Sequence, residues 1–192
     1  MTTLLLVRHG ETEWNRVGRW QGHSDTVLND FGREQAGRLA RELDDVDVVY
    51  SSDLARARET AEILAEPLGL EVHSDARLRE RSFGAWEGLN TAEIEAKFGE
   101  AHARWLTGES AGADDAEPFG EFGARVRDFL EDIVARHPEE TVLVVAHGGS
   151  IRVINALASG LDYVRDHRSI PGVPNCAVAR YAARDGKLAP ID

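Results

Sequence analysis

Val142-Leu143-Val144-Val145-Ala146-His147-Gly148-Gly149-Ser150 contains the most apolar run of the chain, and the run stops at a histidine followed by two glycines. Near the N-terminus, Thr3-Leu4-Leu5-Leu6-Val7-Arg8-His9-Gly10 has the same form, with strand-forming residues up to Val7 and then histidine and glycine. Short, continuously apolar runs of this kind read as strands covered on both faces. Val46 to Tyr50 is a third. The segments between them carry helical spacing. Asn29 or Asp30 can cap a helix through Phe31, Ala36, Leu39, Ala40 and Leu43. Ser51-Ser52-Asp53 offers cap chemistry to the stripe Leu54, Ala57, Ala61, Leu64 and Leu68, with Pro67 at a frayed end and Gly69 as terminator. Ala92 to Leu106, Phe122 to Ala135 and Ile151 to Leu157 are also helical in spacing, and Gly108 to Gly120 reads as a surface loop. Asn175 to Tyr181 and Lys187 to Ala189 flank a hairpin turn at Arg184-Asp185-Gly186. Strands alternating with helices predict an α/β fold, a three-layer α/β/α sandwich with a mainly parallel central sheet, in one domain over residues 1–192. Ligands in such sheets sit at the carboxyl ends of the strands, where His9 and His147 fall.

The composition bounds the partners. The 22 Lys and Arg against 34 Asp and Glu leave a net charge of −12, which argues against nucleic acid, because binding a polyanion by charge needs a basic face. No run of about 18 apolar residues exists to span a membrane, and the N-terminus lacks the basic start of a signal peptide. The single cysteine, Cys176, cannot form an internal disulfide and reads as a small residue buried in a strand; a reducing cytoplasm is the expected compartment. A homodimer is left open. An anionic ligand would require a positive pocket inside this negative envelope.

His9 and His147 are the candidates for chemistry. An imidazole with a pKa near ~6.5 can act as a neutral nucleophile. His147 precedes a Gly-Gly helix entry whose free N–H groups can hold an anion. Metal ligation is the competing reading, but there is no H-x-x-x-H spacing, cysteine pair or clear carboxylate triad to complete a coordination shell. Nucleophile-elbow, P-loop and dinucleotide patterns are missing.

Arg8-His9-Gly10-Glu11-Thr12-Glu13-Trp14-Asn15 resembles the signature of the histidine phosphatase superfamily, the phosphoglycerate-mutase-like proteins. The resemblance continues in order through Gln21-Gly22, Leu28 with Gly32, Ser52-Asp53-Leu54-Ala55-Arg56-Ala57, Glu80 ahead of Phe83-Gly84-Ala85-Trp86-Glu87-Gly88, and Val145-Ala146-His147-Gly148-Gly149. It implies the phosphoglycerate-mutase-like fold and a metal-independent, cofactor-free reaction on a small phosphorylated substrate. His9 would become phosphohistidine. Arg8, Arg56 and His147 would give charge-assisted hydrogen bonds to the equatorial phosphoryl oxygens. Glu80 would protonate the leaving alkoxide and then deprotonate water. Thr12, Asn15, Gln21, Gly22 and Gly148 would complete the phosphate cradle, and Arg81 would touch ligand. A helical wheel by itself places Arg58 nearer the apolar stripe and Arg56 nearly opposite; the motif match alone selects Arg56.

The family holds mutases and phosphatases. Compared with the mutases, Thr91 replaces a lysine, Phe83 a tyrosine, and Glu109 to Glu121 is short, acidic and without the mutases' arginine pair. These departures favour a phosphomonoester phosphatase over a cofactor-dependent phosphoglycerate mutase. A silent phospho-ligand binding module is disfavoured by the presence of both His9 and Glu80. The 108–120 loop is expected to cap the site, with its acids repelling a second phosphate. Trp14, Trp20 and Trp86 are expected in core or rim packing.

Overall fold

The computed structural model describes residues 1–184 and 187–191. Six strands form one sheet: β1 (Thr2–Arg8), β2 (Val48–Ser51), β3 (Val72–Ser74), β4 (Thr141–Ala146), β5 (Val178–Arg184) and β6 (Lys187–Pro190), in the order β3-β2-β4-β1-β5-β6. The first four strands in that order are parallel; at one edge β5 pairs antiparallel with β1, and β6 pairs antiparallel with β5. The turn expected between β5 and β6 includes Asp185 and Gly186, which lie outside the described residues.

The central strands are apolar throughout because both of their faces are covered. Leu4, Leu6, Val142, Val144 and Ala146 pack against α5 (Phe119–Arg136) and α6 (Gly148–Ala158) through Phe122, Val126, Phe129, Ile133, Ile151 and Ile154. The alternate residues Leu5, Val7, Val49, Leu143 and Val145 pack against α2 (Asp30–Leu39) and α3 (Ala55–Ala65) through Leu39, Ala57, Ala61 and Leu64. Burying a Val or Leu side chain contributes about 1.5–3 kcal/mol, so these two layers hold the sheet and the strand ends that carry the site. A third cluster, Trp86, Ile94 and Ala113 with Trp20, Phe83 and Trp105, lies where α4 (Thr91–Thr107) meets the 82–90 segment. Two short helices, α1 (Glu13–Arg16) and α7 (Tyr163–Asp166), and the 3-10 turns Glu66–Leu68, Ala76–Leu78 and Gly84–Trp86 complete the elements among the described residues. Among the described residues no helix is long and apolar enough to cross a membrane.

Several local expectations need correction. Asn29 does cap α2, accepting the Gly32 N–H at 2.8 Å. The cap of α3 is Leu54, which has no side-chain bond to give; its N–H reaches Ser52 Oγ at 3.3 Å, and the Ala55 N–H is taken by Asp25 from a distant loop at 2.6 Å. Asp53 instead pairs with Arg79. Cys176 precedes β5 rather than lying in it, half-buried, with φ of 55°. Helix α5 starts at Phe119, three residues before the predicted start.

Candidate active site

Parallel pairing of β1 with β4 puts Arg8 beside Ala146, so the next residues, His9 and His147, emerge together at the carboxyl end of the sheet. Their ring centroids are 5.2 Å apart. The His9 N–H of the backbone is held by the Ala146 carbonyl at 3.0 Å, and the Asn175 amide donates to the His9 carbonyl at 2.7 Å. His9 Nδ1 lies 2.7 Å from the Gly10 carbonyl, which can only accept, so Nδ1 carries the proton and Nε2 keeps the lone pair. Burial, reinforced by Arg56 and Arg8, holds the His9 pKa well below its ordinary value. The ring is neutral at neutral pH.

His147 is held neutral in the same way, by burial first and then by Arg56, His9 and Arg8. It is fully buried, with Nε2 2.9 Å from Ser52 Oγ and no partner among the described residues for Nδ1. A neutral ring offers an ordinary N–H, not the charge-assisted bond expected from the sequence. His147 does not itself line the cavity.

That cavity, of about 600 Å³, is lined by six arginines, Arg8, Arg19, Arg56, Arg81, Arg152 and Arg168, against one carboxylate, Glu80. Here the acidic chain assembles its local positive pocket. Arg8 is anchored by the Val173 carbonyl at 2.7 Å, and Arg56 by the carbonyls of Gly22 and Ser24 at 2.8 and 2.9 Å. The Nε atoms of both are buried without a partner among the described residues. Burial lowers the pKa of Arg56 to about 10, so it stays cationic at neutral pH.

Glu80 reaches the site from the segment after β3. One carboxylate oxygen accepts the Gly149 N–H at the start of α6 at 3.0 Å, and the other accepts the Arg81 N–H at 2.8 Å. The close approach requires glycine: a Cβ on Gly149 would stand 2.1 Å from Glu80 Oε1. Arg125 and His23, neither flagged by any motif, hold the Glu80 backbone carbonyl at 2.9 Å each. Arg77 is tied into ion pairs with Asp75, Asp128 and Asp132, whereas Arg81 lies between the rings of Phe83 and Phe119.

Asn15, Gln21, Gly22 and Gly148 line the cavity as expected. Thr12 does not. It is fully buried, with Oγ1 donating toward Asn15 Oδ1 and Gln21 Oε1 at 3.1 and 3.0 Å, so it positions those two side chains without reaching the cavity. The 21–24 turn is fastened by Glu87, which accepts the N–H groups of His23 and Ser24 at 2.9 and 2.8 Å.

The acidic loop behaves differently from its expectation. None of residues 108–118 lines the cavity. Asp115 accepts the Ala85 N–H at 2.9 Å, and Glu117 pairs with Arg125 at 2.7 Å. Of the 108–120 stretch only Phe119, which is already the first residue of α5, faces the cavity, together with Trp105 and Leu106 before the loop. Trp14 and Trp20 stand on the rim, and Trp86 is core. Arg152, Tyr163, His167 and Arg168 also line the cavity and carry no sequence motif.

A mainly parallel sheet sandwich, with paired histidines at its strand ends and guanidinium groups gathered beside them, defines a phosphoryl-binding enzyme of the histidine phosphatase type. Residues 4–190 match the histidine phosphatase superfamily (branch 1), and the chain belongs to that superfamily. It is 39% identical to phosphoserine phosphatase 1 of Hydrogenobacter thermophilus over 165 residues, covering 84% of this chain and 78% of that protein. It is 37% identical to glucosyl-3-phosphoglycerate phosphatase of Mycobacterium tuberculosis over 163 residues, 80% of this chain and 73% of that protein. Among solved structures, the mycobacterial glucosyl-3-phosphoglycerate phosphatase complexed with VO3 superposes with a TM-score of 0.88 at 34% identity, covering 98% of this chain and 96% of that one. The alpha-ribazole phosphatase of Shigella flexneri does so with 0.89 at 28% identity, covering 98% and 94%.

Proposed function

We propose that this phosphoric monoester hydrolase works without a metal, through a phosphohistidine formed on His9, on a small phosphorylated metabolite in the cytoplasm. The observation that carries the reading is a neutral His9, its tautomer set by Gly10, in a cavity lined by six arginines and one carboxylate. His9 Nε2 attacks phosphorus while the P–O bond to the alcohol breaks. The ring becomes cationic as the N–P bond forms, which strengthens its Nδ1–H bond to the Gly10 carbonyl. Arg8 and Arg56 stabilise charge on the equatorial oxygens, and the buried His147 ring packs beside His9 without reaching the cavity itself. Glu80, in its acid form, gives its proton to the leaving oxygen. As a carboxylate it then removes a proton from water; the water oxygen bonds to phosphorus, the N–P bond breaks, and neutral His9 returns. The mutase alternative is weakened because residues 109–121, where the resemblance would place an arginine pair, contain no arginine or lysine.

Turnover of p-nitrophenyl phosphate is expected to be unchanged in excess chelator, and a quenched reaction to yield an acid-labile, alkali-stable phosphoprotein. Loss of activity on chelation, or an alkali-labile phosphoprotein, overturns the mechanism.

The Gly149 contact supplies a second test. In Gly149→Ala the new methyl would stand 2.1 Å from Glu80 Oε1 and 3.1 Å from the buried Phe122 ring, so the flexible carboxylate is displaced and the acid misplaced, while the ring has to give by only a few tenths of an ångström. The expected kcat/KM loss is about 10²-fold, within the usual contribution of a positioned proton donor. Steady-state kinetics beside thermal melting checks this; retained activity would show that Glu80 is not the acid.

A further inference from the structure

Of the six arginines around the cavity, Arg152 is the least committed. Arg19 pairs with Glu93 at 2.6 Å. Arg81 donates to the Glu117 carbonyl at 2.9 Å and lies between two aromatic rings. Arg168 donates to the carbonyls of Trp105 and Leu106 and covers the Trp105 ring. Arg8 and Arg56 belong to the phosphoryl side. Arg152 makes one long bond, Nε to the Pro171 carbonyl at 3.4 Å, and among the described residues it has no ion pair.

Its place in the fold gives that free charge a direction. Gly148, at the start of α6, packs against the Arg8 guanidinium, where an added Cβ would lie 3.8 Å from its carbon. Arg152 is four residues further along the same helix face, ~6 Å along the axis. It therefore stands about one helical turn from Arg8 and lines the same cavity as Tyr163, whose hydroxyl feels both Arg152 and Glu80, the group proposed to protonate the leaving alcohol. Tyr163 lines the same wall; burial, then Glu80, push its pKa up despite Arg152, so its hydroxyl stays a donor. His167 also lines the wall, with its pKa held down by burial and then by Arg168, Arg81 and Arg152.

We propose that Arg152, with the Tyr163 hydroxyl, receives a carboxylate on the alcohol portion of the substrate, so that the preferred substrates are phosphate monoesters of small hydroxy acids. The proposal rests on the phosphatase reading of the same cavity. One guanidinium supplies one positive charge and a planar fork, which matches a monoanionic carboxylate better than a second, dianionic phosphate.

3-Phospho-D-glycerate and sn-glycerol 3-phosphate test this, because they share a three-carbon phosphate ester and differ at the acid group. The wild-type kcat/KM ratio is expected to favour the acid by about tenfold or more, the worth of a charge-assisted bond. Arg152→Gln should bring that ratio close to unity, and Arg152→Lys should leave it between the two, since lysine keeps the charge and loses the fork. No wild-type preference, or a ratio unchanged in Arg152→Gln, overturns the proposal. So does an Arg152-dependent preference for 2,3-bisphosphoglycerate over the monophosphate acid. Should p-nitrophenyl phosphate turnover and the phosphoprotein both fail in the wild type, the phosphatase reading falls by itself. Calorimetric binding of the two three-carbon esters to wild type and Arg152→Gln then still decides the subsite. A selective weakening of the acid supports it, and equal affinities in both proteins overturn it.

Discussion

Replacing His9 with alanine is expected to abolish the phosphoprotein and to lower turnover of p-nitrophenyl phosphate by about 10⁴-fold or more, because the nucleophile and the bond it forms are both lost. Added imidazole should restore part of the rate, since the substituted site leaves space for a ring beside His147. The wild-type pH profile tests the same residue independently. A folded pKa below the ordinary value means that His9 keeps its lone pair as the solution is acidified past ~6.5. After correction for the substrate's own ionisation near ~6, the acid limb of kcat/KM should lie below pH ~6.5; a limb at or above that value would contradict a buried, neutral nucleophile. The sign for stability follows. Between the folded and unfolded pKa values the unfolded chain binds more protons at His9 and His147, so stability is full above ~6.5 and falls as the pH drops below it.

The strand ends and their histidines were legible because buried parallel strands announce themselves as unbroken apolar runs, and a parallel sheet places ligands at a known edge. That His9 and His147 share one site was legible from their strand-end positions and the family resemblance, but the contact between their rings was not, since it depends on β1 pairing with β4 across more than a hundred residues. The cavity's second wall was illegible for a related reason. Arg152, Tyr163, His167 and Arg168 come together only through the packing of α6, α7 and the end of α4, and no local pattern marks them. Thr12 shows the opposite error. Its motif position suggested a phosphate contact, yet its hydroxyl is consumed in orienting Asn15 and Gln21. The acids of the 109–121 stretch likewise suggested a repulsive lid, and two of them satisfy backbone or arginine donors instead.

Arg56 and Arg58 pose the sharpest contrast between the two levels. Arg56→Lys is expected to reduce kcat/KM by about 10²–10³-fold, the usual cost of removing a preorganised donor to a developing oxyanion. One ammonium cannot span the Gly22 and Ser24 carbonyls and also line the cavity, as the guanidinium does. The unmet carbonyls should also cost about 1–3 kcal/mol of stability, readable as a lower thermal midpoint. Arg58→Ala should leave kcat/KM within twofold and cost at most ~0.5 kcal/mol, because Arg58 is exposed and makes only an i,i+4 pair with Glu62. Equal losses at the two positions would refute the assignment. The wheel misled because it counted only apolar residues as buried. Thr60 is polar and fully buried, with its hydroxyl donating to the Arg56 carbonyl and accepting the Gly10 N–H. Arg56 lies one turn before Thr60, ~40° away around the axis, so including that threonine widens the buried face of α3 until Arg56 stands at its edge, turned toward the 22–26 turn rather than the sheet.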